Sequence, residues 1–126
     1  MRAKLFPADV VAAIRKDKIL GIRAGTAPHR IIGIWAVVVE GRVFARSWSL
    51  KPRSWWRKFL EEPRGVIQVG KRKIRIRAVQ TRSERLKDAV SEAYREKYKT
   101  PGSIKFVRDM SRARSRNTTT ELVPLN

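Results

Sequence analysis

Between Ile31 and Trp48 the chain turns back on itself. The run Ile31-Ile32-Gly33-Ile34-Trp35-Ala36-Val37-Val38-Val39 is apolar, largely β-branched and free of charge, the composition of a strand buried on both faces. Glu40-Gly41 follows, and glycine supplies the positive φ that a two-residue turn needs. The return segment alternates, with Val43, Ala45 and Ser47 on one face and Phe44, Arg46 and Trp48 on the other. A β-hairpin is therefore expected here, with Trp35 and Phe44 as core aromatics and the Trp35 ring buried between sheet and helix.

The flanking segments show where this hairpin must pack. Pro7 ahead of Ala8-Asp9 reads as a helix start, and Val10, Val11 and Ile14 form its apolar stripe. Ile19 to Ala24 reads as a strand, and Gly25-Thr26-Ala27-Pro28 as a loop that leads to His29. Ser54 caps a helix from Trp55 to Glu62 that Pro63 stops. Val66 to Val69 and Ile74 to Val79 are strands joined by a turn at Gly70-Lys71-Arg72. From Ser83 to Lys97 the apolar positions Leu86, Ala89, Val90, Ala93 and Tyr94 follow helical spacing. Thr100 to Ser103 breaks that helix, Ile104 to Met110 suits a short one, Ser111 to Asn117 an arginine-rich loop, and Thr118 to Val123 a strand. Hairpins outnumber helical crossovers, so the fold class is α+β, mainly β: a small antiparallel sheet or barrel with peripheral helices, in one domain spanning 1–126.

Charge is the compositional outlier. The 126 residues carry 30 Lys and Arg against 11 Asp and Glu, a formal +19, while a hydrophobic fraction of 42% is ample for a core. Such a balance attracts polyanions: nucleic acid, phosphorylated cofactors or an acidic surface. The lack of cysteine excludes a disulfide framework and thiolate chemistry, and a single histidine makes a histidine-based metal site a poor reading. No Walker loop, dinucleotide fingerprint or Gly-x-Ser-x-Gly elbow is present. Glu84, Asp88, Glu92 and Glu96 recur every four residues among basic neighbours, as on a solvated helix face. No apolar run reaches the length of a membrane span, and Asp9, Arg15 and Lys16 interrupt what would be a signal-peptide core; a cytoplasmic protein is expected.

Two local signals remain. Lys73, Arg75 and Arg77 share one strand face, either as a solvated outer surface, as charge that protects a sheet edge, or as a contact for phosphate. Trp55-Trp56-Arg57-Lys58 offers either a hydrophobic lid on an open barrel end or an aromatic wall with cations for the phosphate of a flat ring system.

Taken in order, Ile34-Trp35-Ala36-Val37, Ala45-Arg46-Ser47, Trp55-Trp56-Arg57, Ala93-Tyr94-Arg95-Glu96-Lys97-Tyr98 and Leu122-Val123-Pro124 span nearly the whole chain. Their sequence and spacing resemble a small bacterial family of unknown function within the FMN-binding split-barrel superfamily. Better-known relatives are the deazaflavin-dependent nitroreductases and the pyridoxamine-phosphate-oxidase-like proteins. The resemblance implies a split β-barrel, a homodimer with sites at the subunit interface, and a phosphorylated cofactor, FMN or a deazaflavin coenzyme. By position it implies cofactor contacts from Arg30, Arg46, Ser47, Trp48, Ser49, Trp55 and Arg57. The chain departs from the nitroreductases at Ser49-Leu50, where they usually have Gly-Gly, and at Lys58, where they tend to have Asn. Three functions follow as expectations: a flavin- or deazaflavin-dependent oxidoreductase, a basic module that binds nucleic acid non-specifically at low salt, or a cofactor-less dimeric scaffold.

Overall fold

A computed structural model describes residues 5–26 and 30–125. The loop reading at Ala27-Pro28 and the placing of His29 lie outside the described residues. The elements are α1 (Ala8–Lys16), β1 (Leu20–Ala24), β2 (Ile32–Ile34), β3 (Ala36–Val39), β4 (Arg42–Ala45), α2 (Trp55–Glu61), β5 (Arg64–Val69), β6 (Arg72–Gln80), α3 (Glu84–Lys97), α4 (Pro101–Met110), α5 (Ala113–Arg116) and β7 (Thr120–Pro124). The seven strands form one antiparallel sheet in the order β2-β1-β5-β6-β7-β4-β3.

That order explains the closure. β2 and β3 are consecutive, with Trp35 alone between them, yet they stand at opposite ends of the sheet. A single stretch of chain pairs with β1 through Ile32 and Ile34 and with β4 through Ala36 to Val39, so the two edges are drawn together into a nearly closed barrel. The expected single buried strand is in this respect two, because its backbone changes partners at Trp35. The backbone groups freed there are met by side chains of the α3 end. Tyr94 Oη donates to Trp35 O at 2.8 Å, Tyr98 Oη accepts from Ala36 N at 3.2 Å, and Lys97 Nζ donates to Ala36 O at 2.7 Å. Buried peptide groups outside a ladder need such partners. The Tyr94 to Tyr98 motif thus fastens the seam of the barrel.

The alternation of the strands produces two cores. Ile22, Val43, Ala45, Ile67, Ile76 and Leu122 fill the barrel, which α1 seals with Val10 and Ile14 and α2 with Trp55 and Phe59. On the outside of β3 and β4, Val37 and Phe44 pack against Leu86, Val90, Tyr94 and Tyr98 of the α3 region and Val107 and Met110 of α4. Gly65 marks the tightest contact: a Cβ there would lie 2.5 Å from Arg23 O and 2.7 Å from the Phe59 ring, so only glycine lets α2 approach the sheet so closely.

Local signals set most boundaries. Glu40 and Gly41 both adopt positive φ, 55° and 74°, as a tight hairpin turn requires. Ser54 and Ser83 accept hydrogen bonds from Arg57 N and Leu86 N as helix caps. Four expectations need correction. The Trp35 ring is half-buried, because it stacks on Tyr98 at 4.2 Å while its other surroundings open toward a cleft. The break at Thr100 to Ser103 is the start of α4, with Pro101 in the first helical position, where its missing N–H costs nothing. The arginine-rich loop contains one helical turn, α5, held by Ser115 Oγ donating to Ser47 O at 2.9 Å. The basic strand β6 lies between β5 and β7, so its charges do not protect a sheet edge.

Candidate functional site

Where β4 ends, the chain leaves the sheet as Arg46-Ser47-Trp48-Ser49 and opens one side of a cleft. The opposite side comes from β2 and the residues beside it, Ile32, Gly33, Ile34 and Trp35, and the floor from Trp55 of α2. Phe106 and Met110 of α4 complete it, and the volume is about 460 Å³, within the range of small-molecule sites. Its walls are mainly apolar and aromatic. Trp48 is 63% exposed at the rim and meets Phe106 edge-on at 5.9 Å; Phe106 in turn meets Trp35 edge-on at 6.1 Å. Among the described lining residues none is a carboxylate, a histidine or a tyrosine, the side chains suited to general acid–base work.

A smaller annex of about 100 Å³ adjoins the cleft and shares Ile32, Arg53 and Trp55 with it. Four cations line the annex, Arg23, Arg30, Arg53 and Lys58, and no carboxylate does. The Nε of Arg23 is buried without a hydrogen-bond partner, an arrangement that costs free energy unless a further acceptor arrives.

The residues expected to bind cofactor divide into three groups. Arg46, Ser47, Trp48, Ser49 and Trp55 all line the cleft, and Arg30 lines the annex. Arg57 lines neither; it is exposed, donates to Leu50 O at 3.2 Å and lies 5.4 Å over the Trp56 ring. Arg46 is a special case, because it is only 2% exposed. Its Nε donates to Thr119 Oγ1 at 2.8 Å, Nη1 to Ser91 Oγ at 2.7 Å and Met110 O at 3.0 Å, and Nη2 to Lys87 O at 2.7 Å. Four of the five guanidinium N–H bonds therefore tie β4 to α3, α4 and the start of β7. Burial pushes the Arg46 guanidinium down to about 10, a shift that Tyr94 and Asp88 only partly oppose. This is the geometry of a structural tie, with a single N–H left over. Ser47 is similarly engaged: its N–H donates to Thr118 Oγ1 at 2.8 Å and its hydroxyl to Ser49 O.

Sequence reasoning did not single out Arg23, Arg53, Ile32 or Phe106. The first two are lone arginines without motif context, and only the β1–β2 pairing and the position of α2 bring them together.

Residues 9–122 match the model of a family described as uncharacterised proteins conserved in bacteria, DUF2255. No curated protein matches. Among solved structures, the chain is similar to conserved hypothetical protein Rv2991 from Mycobacterium tuberculosis, with 13% identity over 98% of this chain and 81% of that one and a TM-score of 0.61. It is also similar to a FAD-binding protein, mll6688, from Mesorhizobium loti, with 10% identity over 100% of this chain and 95% of that one and a TM-score of 0.56. At these identities the likeness is one of fold, and it agrees with a split barrel.

Proposed function

Because the chain belongs to DUF2255, a bacterial family without an assigned activity, we propose its function from the cleft itself: it binds a phosphorylated flavin or deazaflavin coenzyme and works as an oxidoreductase. The observation that carries this reading is the continuity of an aromatic cleft with a four-cation annex. A flat, largely apolar ring system joined to a phosphate has just these two chemistries, and the residues present fit both parts. Trp35, Trp48 and Trp55 are walls for a ring. Arg30, Arg53 and Lys58 are donors for an anionic tail through charge-assisted hydrogen bonds. The FAD-binding of the Mesorhizobium loti neighbour supports the same class of ligand.

Such a coenzyme, once bound, supplies hydride transfer. The chain's part is to bind, orient and exclude water, which agrees with a cleft lined mainly by apolar side chains, with three serines and two arginines. Ile19, Ile32, Trp48 and Phe106, each at least 40% exposed, surround the cleft. They suit a second copy of the chain as its cover, the homodimer that split-barrel resemblance implies.

Absorbance of the purified protein in the flavin region, followed by titration with FMN, riboflavin and a phosphorylated deazaflavin, tests the proposal. Phosphorylated ligands should bind, with riboflavin at least about tenfold weaker, since one charge-assisted contact is worth roughly 1.5–3 kcal/mol. The absence of binding to any of these ligands would overturn the function; equal affinity for FMN and riboflavin would overturn the role of the annex.

A further inference from the structure

The strands β1, β5 and β6 are neighbours in the sheet, and together they contain six basic residues and no carboxylate. The register places five of the six on the outer face. Arg64 lies opposite Arg77, Arg23 and Arg75 flank Val66, and Lys73 lies opposite Gln68. No helix apolar stripe uses this face: α1 and α2 send theirs into the barrel, and α3 and α4 cover β3 and β4. Four of the molecule's 11 acids are on α3, and Glu121, which reaches the edge of this face opposite Val79, is bound by Arg42 at 2.6 Å. Glu62, just before β5, is bound by Arg64 Nη2 at 2.6 Å. Glu62 also feels the charge of Arg77, which lies directly across from Arg64, so the one like-charged cross-strand pair is eased by this carboxylate, while the described side chains of the face keep an excess of positive charge.

We propose that this outer face binds the phosphate backbone of nucleic acid without reading its sequence. Lys73, Arg75 and Arg77 recur every second residue, about 7 Å apart along the strand, and Arg64 extends the row sideways on β5. That makes a linear array of cations suited to a linear array of phosphates. The three strands carry no aromatic residue on which a base could stack, so recognition stops at the backbone. The same lack of a large apolar or aromatic wedge disfavours insertion into a lipid surface. The other arginine-rich stretch is a weaker candidate, because Arg116 is occupied by Glu84 at 3.0 Å and Asp88 at 2.7 Å.

A net charge of +19 attracts any polyanion, so the test must locate the contact. Binding of a short fluorescein-labelled duplex of random sequence is followed by anisotropy between about 50 and 200 mM salt. The triple variant Lys73→Gln, Arg75→Gln, Arg77→Gln is compared with Lys105→Gln, Arg112→Gln, Arg114→Gln, which removes the same charge from exposed positions on α4, α5 and the turn between them. The β6 variant should flatten the salt dependence by roughly 2–3 in log–log slope and weaken low-salt binding at least about tenfold, with the α4–α5 variant much less affected. Near-ultraviolet circular dichroism confirms that both remain folded. Equal weakening by the two variants, or none by the β6 variant, would overturn the proposal. So would loss of binding to phosphatidylserine vesicles with duplex binding intact, which would reassign the face to a membrane.

Discussion

Replacing Arg46 by alanine separates a structural tie from a cofactor ligand. In the folded protein its guanidinium satisfies two backbone carbonyls, Lys87 O and Met110 O, and two hydroxyls, Ser91 Oγ and Thr119 Oγ1. The hydroxyls can rotate, and Thr119 Oγ1 already donates to Arg116 O at 2.6 Å. The carbonyls cannot rotate; Lys87 O keeps its helical partner in α3, but Met110 O at the end of α4 is left short of a donor at about 1–3 kcal/mol. The vacated side-chain volume adds a cavity term, and the removal of a desolvated, unpaired cation gives part of it back. The balance is a loss of roughly 3–4 kcal/mol, a large share of the about 5–15 kcal/mol that holds such a domain together. Urea denaturation of wild type, Arg46→Ala and Arg46→Lys measures it. Lysine keeps the charge without the fork of donors and should recover little. A variant Arg46→Ala within about 0.5 kcal/mol of wild type, with FMN affinity down tenfold, would refute this reasoning and return Arg46 to the cofactor.

Three further outcomes follow from the geometry. Arg53→Ala with Lys58→Ala should weaken FMN binding at least about tenfold, one charge-assisted contact or more, whereas Arg57→Ala, outside both cleft and annex, should leave it unchanged; calorimetric titration distinguishes them. Tyr98→Phe removes the hydroxyl that accepts from Ala36 N and donates to Lys18 O, and should cost about 1–3 kcal/mol by thermal or urea unfolding. Burial pushes the Lys97 ammonium down to about 8 from the ordinary 10.5. The folded chain therefore releases this proton before the unfolded chain does, and stability should climb as pH rises from about 8 toward 10. Melting temperatures across that range should show the climb in wild type and a flatter profile in Lys97→Met.

Much of the fold was legible because local periodicity is enough to define it. The hairpin at Glu40-Gly41, the caps at Ser54 and Ser83, and the apolar stripe through Leu86, Val90 and Tyr94 are statements about residues two to four apart, and each stands as read. The outward face of Lys73, Arg75 and Arg77 is equally local. Of the residues that the resemblance named, Trp48, Ser49 and Trp55 line the cleft.

What the sequence by itself determined, then, is which segments are strands and helices and which side of each is apolar, since backbone geometry imposes periods of two and 3.6 on any chain. Strand order is a different kind of information. Only the tertiary structure split Ile31 to Val39 between two edges of the barrel, set β6 in the interior of the sheet and enclosed Arg46 between α3, α4 and β7. It alone assembled Arg23, Arg30, Arg53 and Lys58 from three separate stretches of chain. The alternation of a strand is the same whichever neighbour it pairs with, so no local pattern could announce that those four cations would meet.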